Sequence, residues 1–564
     1  YMDNVSGPLL HAIQHVISAL GLYGEDITWV KSNGEESELS RDDSTLYKIP
    51  PVLSEITKNA KQQFTVEMPP VFSPPTSQNH LITSAEMVAM YLLVWSPVMW
   101  RYVDLEPTDL PINKHDYYQG EQKAIRRFVE ELTNIRRVLA NVPVYMIFDE
   151  HDVTSGWNST RGWEELVYGN ITSKNIIGNA LVAYMLFQGW GNAPDNFPLE
   201  LIGKVKKVFV KNGAEHRDEL IDHILSFHSW QFSLPTNPKV VVLDTRTQRW
   251  RSGNQAHAPS GLMDWNGLVS FQNEISELDN VIIVSPPPIF GVTMIEVIQW
   301  MFSNMGKPYT VGADNWMGHS SSRGAMMNVL RNPKTPKNIV ILSGNINFSY
   351  AYDLEYSNRG ILQNRWKGDH DYPNIWQIAS SGIKSKFPEG LLRFIDKTNH
   401  WLFGRYSPLN LLLRSRSFRA LTRRTINSKG QHSNRHFLNG SSLGRVRLNR
   451  KGEPILIDSL MADGERVSFW HGDDSISSNP LLIRLSEDPE ELLQLSSQQL
   501  QEAHNLLKQT KRLETALSEN RISEQTLQNA MDFQHWPVHQ KSEYLFKRLG
   551  SKLSSHQIRR LDII

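Results

Sequence analysis

Three ionisable residues in a row, Asp149, Glu150 and His151, follow a short apolar run at residues 144–148 (VYMIF). Two carboxylates and an imidazole can hold metal ions and move protons. An apolar run of that length that stops abruptly reads as a buried strand. Side chains just past the carboxyl end of such a strand face the crevice where α/β proteins bind ligands. The same residues also fit a plain strand-end turn, with Asp149 as a helix cap and His151 on the surface.

Other strand ends carry polar groups too. Residues 339–342 form an apolar run that breaks at Ser343-Gly344 and is followed by Asn345 and Asn347. In extended backbone, positions two apart point to one side, so both amides are expected to face one ligand. The run at 240–243 ends in Asp244-Thr245-Arg246, and the run at 281–284 ends in Ser285 and three prolines. Four apolar runs with polar or Gly/Pro exits predict an α/β sheet with a site along one edge.

Helices must flank that sheet. Leu9, Leu10, Ile13, Val16, Ile17 and Leu20 recur at helical spacing within residues 7–22, and residues 86–103 and 119–139 also read as helices. Residues 163–188 are expected to be rich in helix, with 183–190 (AYMLFQGW) packed on the sheet. Residues 32–83 are polar and broken by proline pairs, which predicts a long surface excursion. The sequons at Asn158 and Asn170 are expected by chance in a chain of this length.

Composition excludes several classes. Lys plus Arg and Asp plus Glu are both 59, so no global field directs the chain to nucleic acid. There is no cysteine, which rules out disulfide frameworks, zinc ribbons and thiol catalysis. The apolar stretch at 87–100 is interrupted by Ser96-Pro97 and is too short to span a bilayer. A soluble protein is the expectation; its location is left open, with the cytoplasm favoured.

The motifs together resemble those of the PhoD-like (alkaline phosphatase D-like) branch of the calcineurin-type metallophosphoesterases. FDEHDVTSGWN resembles that family's D-D-H-[DE] motif, and LDTRTQR is similar to its L-D-x-R-x-x-R strand end. DNWMG at 314–318, followed by Arg323, resembles its D-x-W-x-G segment, and ILSGNINFS stands where the family has L-S-G-D-x-H-x-S. The likeness runs in order to about residue 468 and includes NIWQIASSGIK at 374–384. Residue 1 is Tyr, and Tyr1-Met2-Asp3-Asn4 resembles the tail of the family's G-D-Q-x-Y-x-D-[DN] motif. That likeness implies a chain truncated at its start.

The resemblance implies a metallophosphoesterase-type β-sheet sandwich flanked by helices and a two-metal site that hydrolyses phosphate mono- or diesters. It implies Tyr1, Asp149, Glu150, Asn345 and Asn347 as ligands to Fe, Mn, Ca or Zn. It makes His151 the catalytic histidine and places Arg246 and Asn158 against the substrate. The departures matter. Glu150 replaces an Asp, and Asn345 and Asn347 put neutral amides where the family has a carboxylate and an imidazole, which weakens a metal site. The alternative is therefore an impaired relative that keeps the fold and binds a phosphorylated ligand or a protein partner.

Three regions are expected: a metallophosphatase-like core at 1–403, a connector with closing strands at 404–480, and a helical extension at 481–564. Residues 404–451 hold 12 Lys or Arg and no Asp or Glu, a basic segment. Residues 446–448 and 454–458 read as a hairpin. Helices are expected at 487–517, 523–533 and 542–549. They are expected to pack on their own core, with a protein partner as the alternative, because the apolar spacing is not a sustained heptad.

Overall fold

The computed structural model describes residues 2–469, apart from stretches at 23–27, 31–34, 57–71, 73–78, 305–314, 357–372, 404–420 and 430–435 and a few shorter ones. The chain divides into Tyr1–Trp470 and His471–Ile564. The second unit, with all three C-terminal helices expected from sequence, lies outside the described residues, as does much of the basic window.

Strands β1 (Thr28–Val30) and β2 (Glu36–Glu38) pair as a small antiparallel ladder. The main sheet is built from β3 (Phe232–Leu234), β4 (Lys239–Val242), β5 (Asn280–Ser285), β6 (Asn338–Ser343), β7 (Phe348–Tyr356), β8 (Asn374–Ala379), β9 (Leu421–Thr425) and β11 (Leu438–Asn439). Its order is β11-β7-β8-β6-β5-β4-β3, with β9 pairing β7. A second, antiparallel sheet joins β10 (Ser428–Lys429), β12 (Ser442–Leu448), β13 (Pro454–Met461) and β14 (Arg466–Phe469) in the order β10-β14-β13-β12. The hairpin expected near 446–458 is β12–β13, with Val446 opposite Ile457.

Strands β4, β5, β6 and β8 run parallel. Their cores are β-branched, as in Val240-Val241-Val242 and Val281-Ile282-Ile283-Val284. Such residues fit a pleated surface, and a parallel strand buried on both faces reads as a continuous apolar run. On one face Val241, Ile283, Ile339 and Ile341 join Leu268, Phe271 and Ile275 of the helix Trp265–Ile275, and Met326 and Leu330 of the helix Ser320–Leu330. On the other, Val340, Ala351 and Ile378 meet Ile457, Val467 and Phe469 of the second sheet. The described unit is thus a mixed α/β structure, with helices on one face of a mixed sheet and a second sheet on the other.

A separate helical core comes from the first half of the chain. Helix α1 (Gly7–Leu20) ends at Gly21, whose left-handed φ of 59° closes the helix as glycine readily does. The helices Ser84–Trp95, His115–Leu139, Arg161–Tyr168 and Ile171–Tyr184 follow, the last running into a π-helical turn at Met185–Gly189. The helix expected over 86–103 stops at Ser96, because the residue before Pro97 is driven to extended backbone. It resumes only as the 3-10 turn Met99–Tyr102.

Three expectations are corrected. Residues 144–148 are not a strand. The backbone of Met146 bonds instead to the amide of Asn192, which accepts from its N–H at 2.9 Å and donates to its carbonyl at 2.7 Å. The run is also less buried than its composition suggests: Val144 and Tyr145 are exposed and Phe148 is buried. Residues 183–190 do not lie on the sheet; Tyr184 and Met185 belong to the helical core, where Tyr184 stacks on Phe148. Residues 32–83 are not all surface, since Leu46, Val52, Leu53, Phe72 and Leu81 are buried in that core.

Candidate functional site

The D-E-H segment is a tight turn. Asp149 caps the 3-10 helix Glu150–Asp152, its carboxylate accepting from the N–H of Glu150 at 2.7 Å, while the Asp152 carboxylate accepts from the N–H of Asp149 at 3.0 Å. Asp149 is therefore a cap and part of a charged cluster at once, so the two sequence readings are not exclusive. Asp152 is held in turn by the Gln188 amide at 3.1 Å. The π turn Met185–Gly189 presents Gln188, and its amide also donates to the Tyr91 hydroxyl at 2.9 Å. Burial pushes the Asp152 carboxyl up to about 6.

His151 is paired with a residue absent from the sequence-derived ligand set. Its Nδ1 donates to Oδ2 of Asp3 at 2.7 Å, and the N–H of Ser155 donates to the same oxygen at 2.7 Å. The Met2 backbone sets this contact, donating to the His151 carbonyl and accepting from the Leu81 N–H, each at 2.9 Å. Asp3 has no exposed surface. Burial alone drives its carboxyl up, but the hydrogen bond and charge of His151 outweigh that and hold it below the usual range. Burial pushes the His151 imidazole down, and Asp3, Asp149 and Glu150 more than reverse the shift, so His151 is raised. His80, also buried, is pushed down by desolvation.

Arg246 closes the cluster from the sheet. Asp244 accepts from the N–H groups of Arg246 and Thr247 at 2.9 and 3.0 Å, a side-chain-closed turn past β4 that turns Arg246 inward. One guanidinium nitrogen lies 3.2 Å from Oε2 of Glu150 and the other 3.7 Å from Oδ1 of Asp149. Asn158, left-handed at φ 54°, donates through its amide to the Arg246 carbonyl at 3.3 Å and accepts from the Tyr168 hydroxyl at 2.9 Å. Asn158 thus braces the Arg246 backbone from a buried position. Arg249 likewise turns inward, to the carbonyls of Ser260, Trp157 and Gly261.

Tyr1 lies outside the described residues, as does Asp314. Asn345 and Asn347 are exposed, on the turn between β6 and β7. The two-residue spacing does not decide which way they face: that rule needs extended backbone, and Asn345 is left-handed at φ 57°. The pairing of Val242 with Val284, and of Ser285 with Ser343, places the exits of β4 and β6 on one sheet edge, two strands apart. That spacing is about 10 Å.

The donor chemistry suits a cation. Asp3, Asp149 and Glu150 set three carboxylates against one guanidinium and one imidazole, and carboxylate oxygens favour hard or borderline metal ions. Among the described residues no group of three or more His, Cys, Asp or Glu side chains is arranged to hold a metal ion.

Sequence reasoning placed Asp149, Glu150, His151 and Arg246 in one site, and the structure brings these four together. It missed the pairing role of Asp3, whose only signal is its place two residues after Tyr1. It also missed Asp152 and Gln188; the segment FDEHD offered the first, and nothing in the sequence announces the π turn that delivers the second. Comparison with protein-family models, with curated proteins and with solved structures returns no match for this chain.

Proposed function

We propose that the chain hydrolyses phosphate mono- or diesters at the Asp149–His151 turn. The observation that carries this reading is the buried Asp3 carboxylate bonded to Nδ1 of His151, beside the carboxylates that Arg246 gathers. A carboxylate on Nδ1 fixes the ring so that Nε2 faces away from it, the geometry of an oriented acid–base histidine. The raised His151 keeps its proton toward neutral pH, ready to give it from Nε2 to a leaving oxygen or to offset charge on the phosphoryl group. Asp149 and Glu150 are the described residues that would hold an Fe, Mn, Ca or Zn ion. Such an ion supplies Lewis-acid polarisation of a phosphoryl oxygen and a more acidic bound water. Arg246 sets its positive charge beside both carboxylates and offsets their mutual repulsion.

The test uses p-nitrophenyl phosphate and bis(p-nitrophenyl) phosphate with chelator-treated protein, before and after addition of Mn²⁺ or Fe²⁺. Metal-dependent release is expected, and His151→Asn is expected to lower kcat by about 100-fold or more. Absence of turnover with every metal, or full turnover in His151→Asn, would sink the reading. A second reading, binding of a phosphorylated ligand without hydrolysis, is favoured by the exposed neutral amides of Asn345 and Asn347. It predicts that inorganic phosphate raises the unfolding midpoint of a protein that shows no turnover.

A further inference from the structure

Helix α1 carries a second histidine pair, remote in sequence from His151. His11 and His15 are four residues apart, so they stack on one face of the helix. Their Nε2 atoms are 3.0 Å apart. The ring centroids are 4.7 Å apart, and the planes cross at 72°. Two rings sharing a linear N–H···N bond of that length would hold their centroids more than about 5 Å apart. The shorter separation means that the two rings lean over rather than lie along one line.

The tautomer of His11 follows from its neighbour. Tyr118, in the helix His115–Leu139 that packs on α1, places its hydroxyl 2.9 Å from the Leu105 carbonyl and 2.8 Å from Nδ1 of His11. A carbonyl only accepts, so the single hydroxyl hydrogen goes to Leu105. The Tyr118 oxygen must then accept from His11, which puts the proton on Nδ1 and the lone pair on Nε2, facing His15. This is the arrangement in which an imidazole binds a metal, with its other nitrogen donating to an oxygen that orients the ring. His11 is buried and His15 only partly so, which gives the pair one side open to solvent.

We infer that His11 and His15 form a two-imidazole site for a divalent late first-row metal ion, nickel or copper. With metal–nitrogen bonds of about 2.0–2.1 Å, nitrogens this close subtend an angle of about 90° at the ion, whereas a tetrahedral zinc site needs them about 3.3 Å or more apart. A right-angled pair of imidazoles is the cis edge of a square-planar or octahedral sphere, the preference of Cu²⁺ and Ni²⁺. Water completes the sphere on the open side of His15.

Untagged, chelator-treated full chain titrated with Cu²⁺ and followed by electron paramagnetic resonance tests this, with Ni²⁺ titrated in parallel by calorimetry. The first copper equivalent is expected to show coupling to two imidazole nitrogens. His15→Gln is expected to weaken binding at least 10-fold and lose one nitrogen from the spectrum, and Tyr118→Phe to weaken it about 10-fold through the ring it no longer orients. Asp149→Asn with Glu150→Gln is expected to leave the two-nitrogen signal intact, which separates this site from the proposed phosphatase centre. The inference is overturned if the wild-type first equivalent couples to fewer than two nitrogens, a result that needs no variant to fold. It is overturned equally if His15→Gln keeps both the affinity and the spectrum, which would leave the pair as an ordinary hydrogen bond.

Discussion

Arg246 has no exposed side-chain surface, yet it is permanently charged. Such a group is tolerated only when paired, and Glu150 at 3.2 Å and Asp149 at 3.7 Å supply the pairing. Their side chains are 16% and 32% exposed, so water screens them in part and the carboxylates survive the loss of the cation better than the cation survives their loss. Arg246→Met is expected to lower the unfolding free energy by about 1–2 kcal/mol, because it leaves two partly screened carboxylates beside one another without a cation. Adding Glu150→Gln is expected to recover part of that loss. Urea unfolding of the two variants measures both; equal stability of Arg246→Met and the parent would mean that the pair is not carrying the turn. Arg246→Lys should not substitute, since a point charge on a flexible stem cannot address two carboxylates as a planar fork does. The sequence pointed to Arg246 through its place after a strand. It could not show that the guanidinium turns inward, because that depends on the Asp244 turn and on Asn158, which is distant in sequence.

At the scale of elements, apolar runs were legible where strands lie deep in the sheet. The runs at 240–243, 281–284 and 339–342 are all strands, since burial on both faces demands a continuous apolar segment. The run at 144–148 has the same composition and fails, because strand formation is settled by a neighbouring backbone and this segment finds a side chain instead. Asn192 satisfies both polar groups of Met146, a cross-link between positions 46 residues apart that no local pattern contains. Asn192→Ala is expected to leave two backbone groups without partners and to loosen the segment that leads into Asp149. Hydrogen exchange should show faster labelling across residues 145–149, by about 10-fold, for a local cost of about 1–2 kcal/mol, while global stability changes little. Unchanged exchange there would show that the segment is held by its Phe148 packing rather than by Asn192.

For the molecule as a whole, the site joins parts of the chain that only the folded state unites. Asp3 precedes α1, His80 precedes the helix Ser84–Trp95, His151 follows the 144–148 segment, and Arg246 leaves the main sheet. The α/β class was readable because each strand and helix announces itself locally. The Asp3–His151 pair was not, because 148 residues separate its members. That assembly gives stability a distinctive pH dependence. Asp3 is depressed, so its contribution is present above its unfolded value near about 4 and is lost as pH falls through the depressed folded value. His151 is raised, so its contribution is full below about 6.5 and is lost as pH rises through the raised folded value. His80 works oppositely: its folded value is depressed by burial, so the unfolded chain takes up its proton first and stability declines as pH falls below about 6.5. Urea unfolding from pH 5 to pH 9 should therefore show an alkaline decline governed by His151, and an acid limb in which the loss from His80 is opposed below about pH 6 by the raised Asp152 carboxyl, so that the His80 share is read as the difference between the parent and His80→Phe. Asp3→Asn removes the partner that raises His151 and is expected to flatten the alkaline limb; because the Asp3 charge also holds His80 up, the same variant is expected to deepen the acid limb, whereas His80→Phe is expected to remove the His80 contribution and keep the alkaline limb. If Asp3→Asn keeps the alkaline decline of the parent, the Asp3 carboxylate is not what holds the proton on His151, and the oriented acid on which the proposed hydrolysis depends would have to be sought elsewhere.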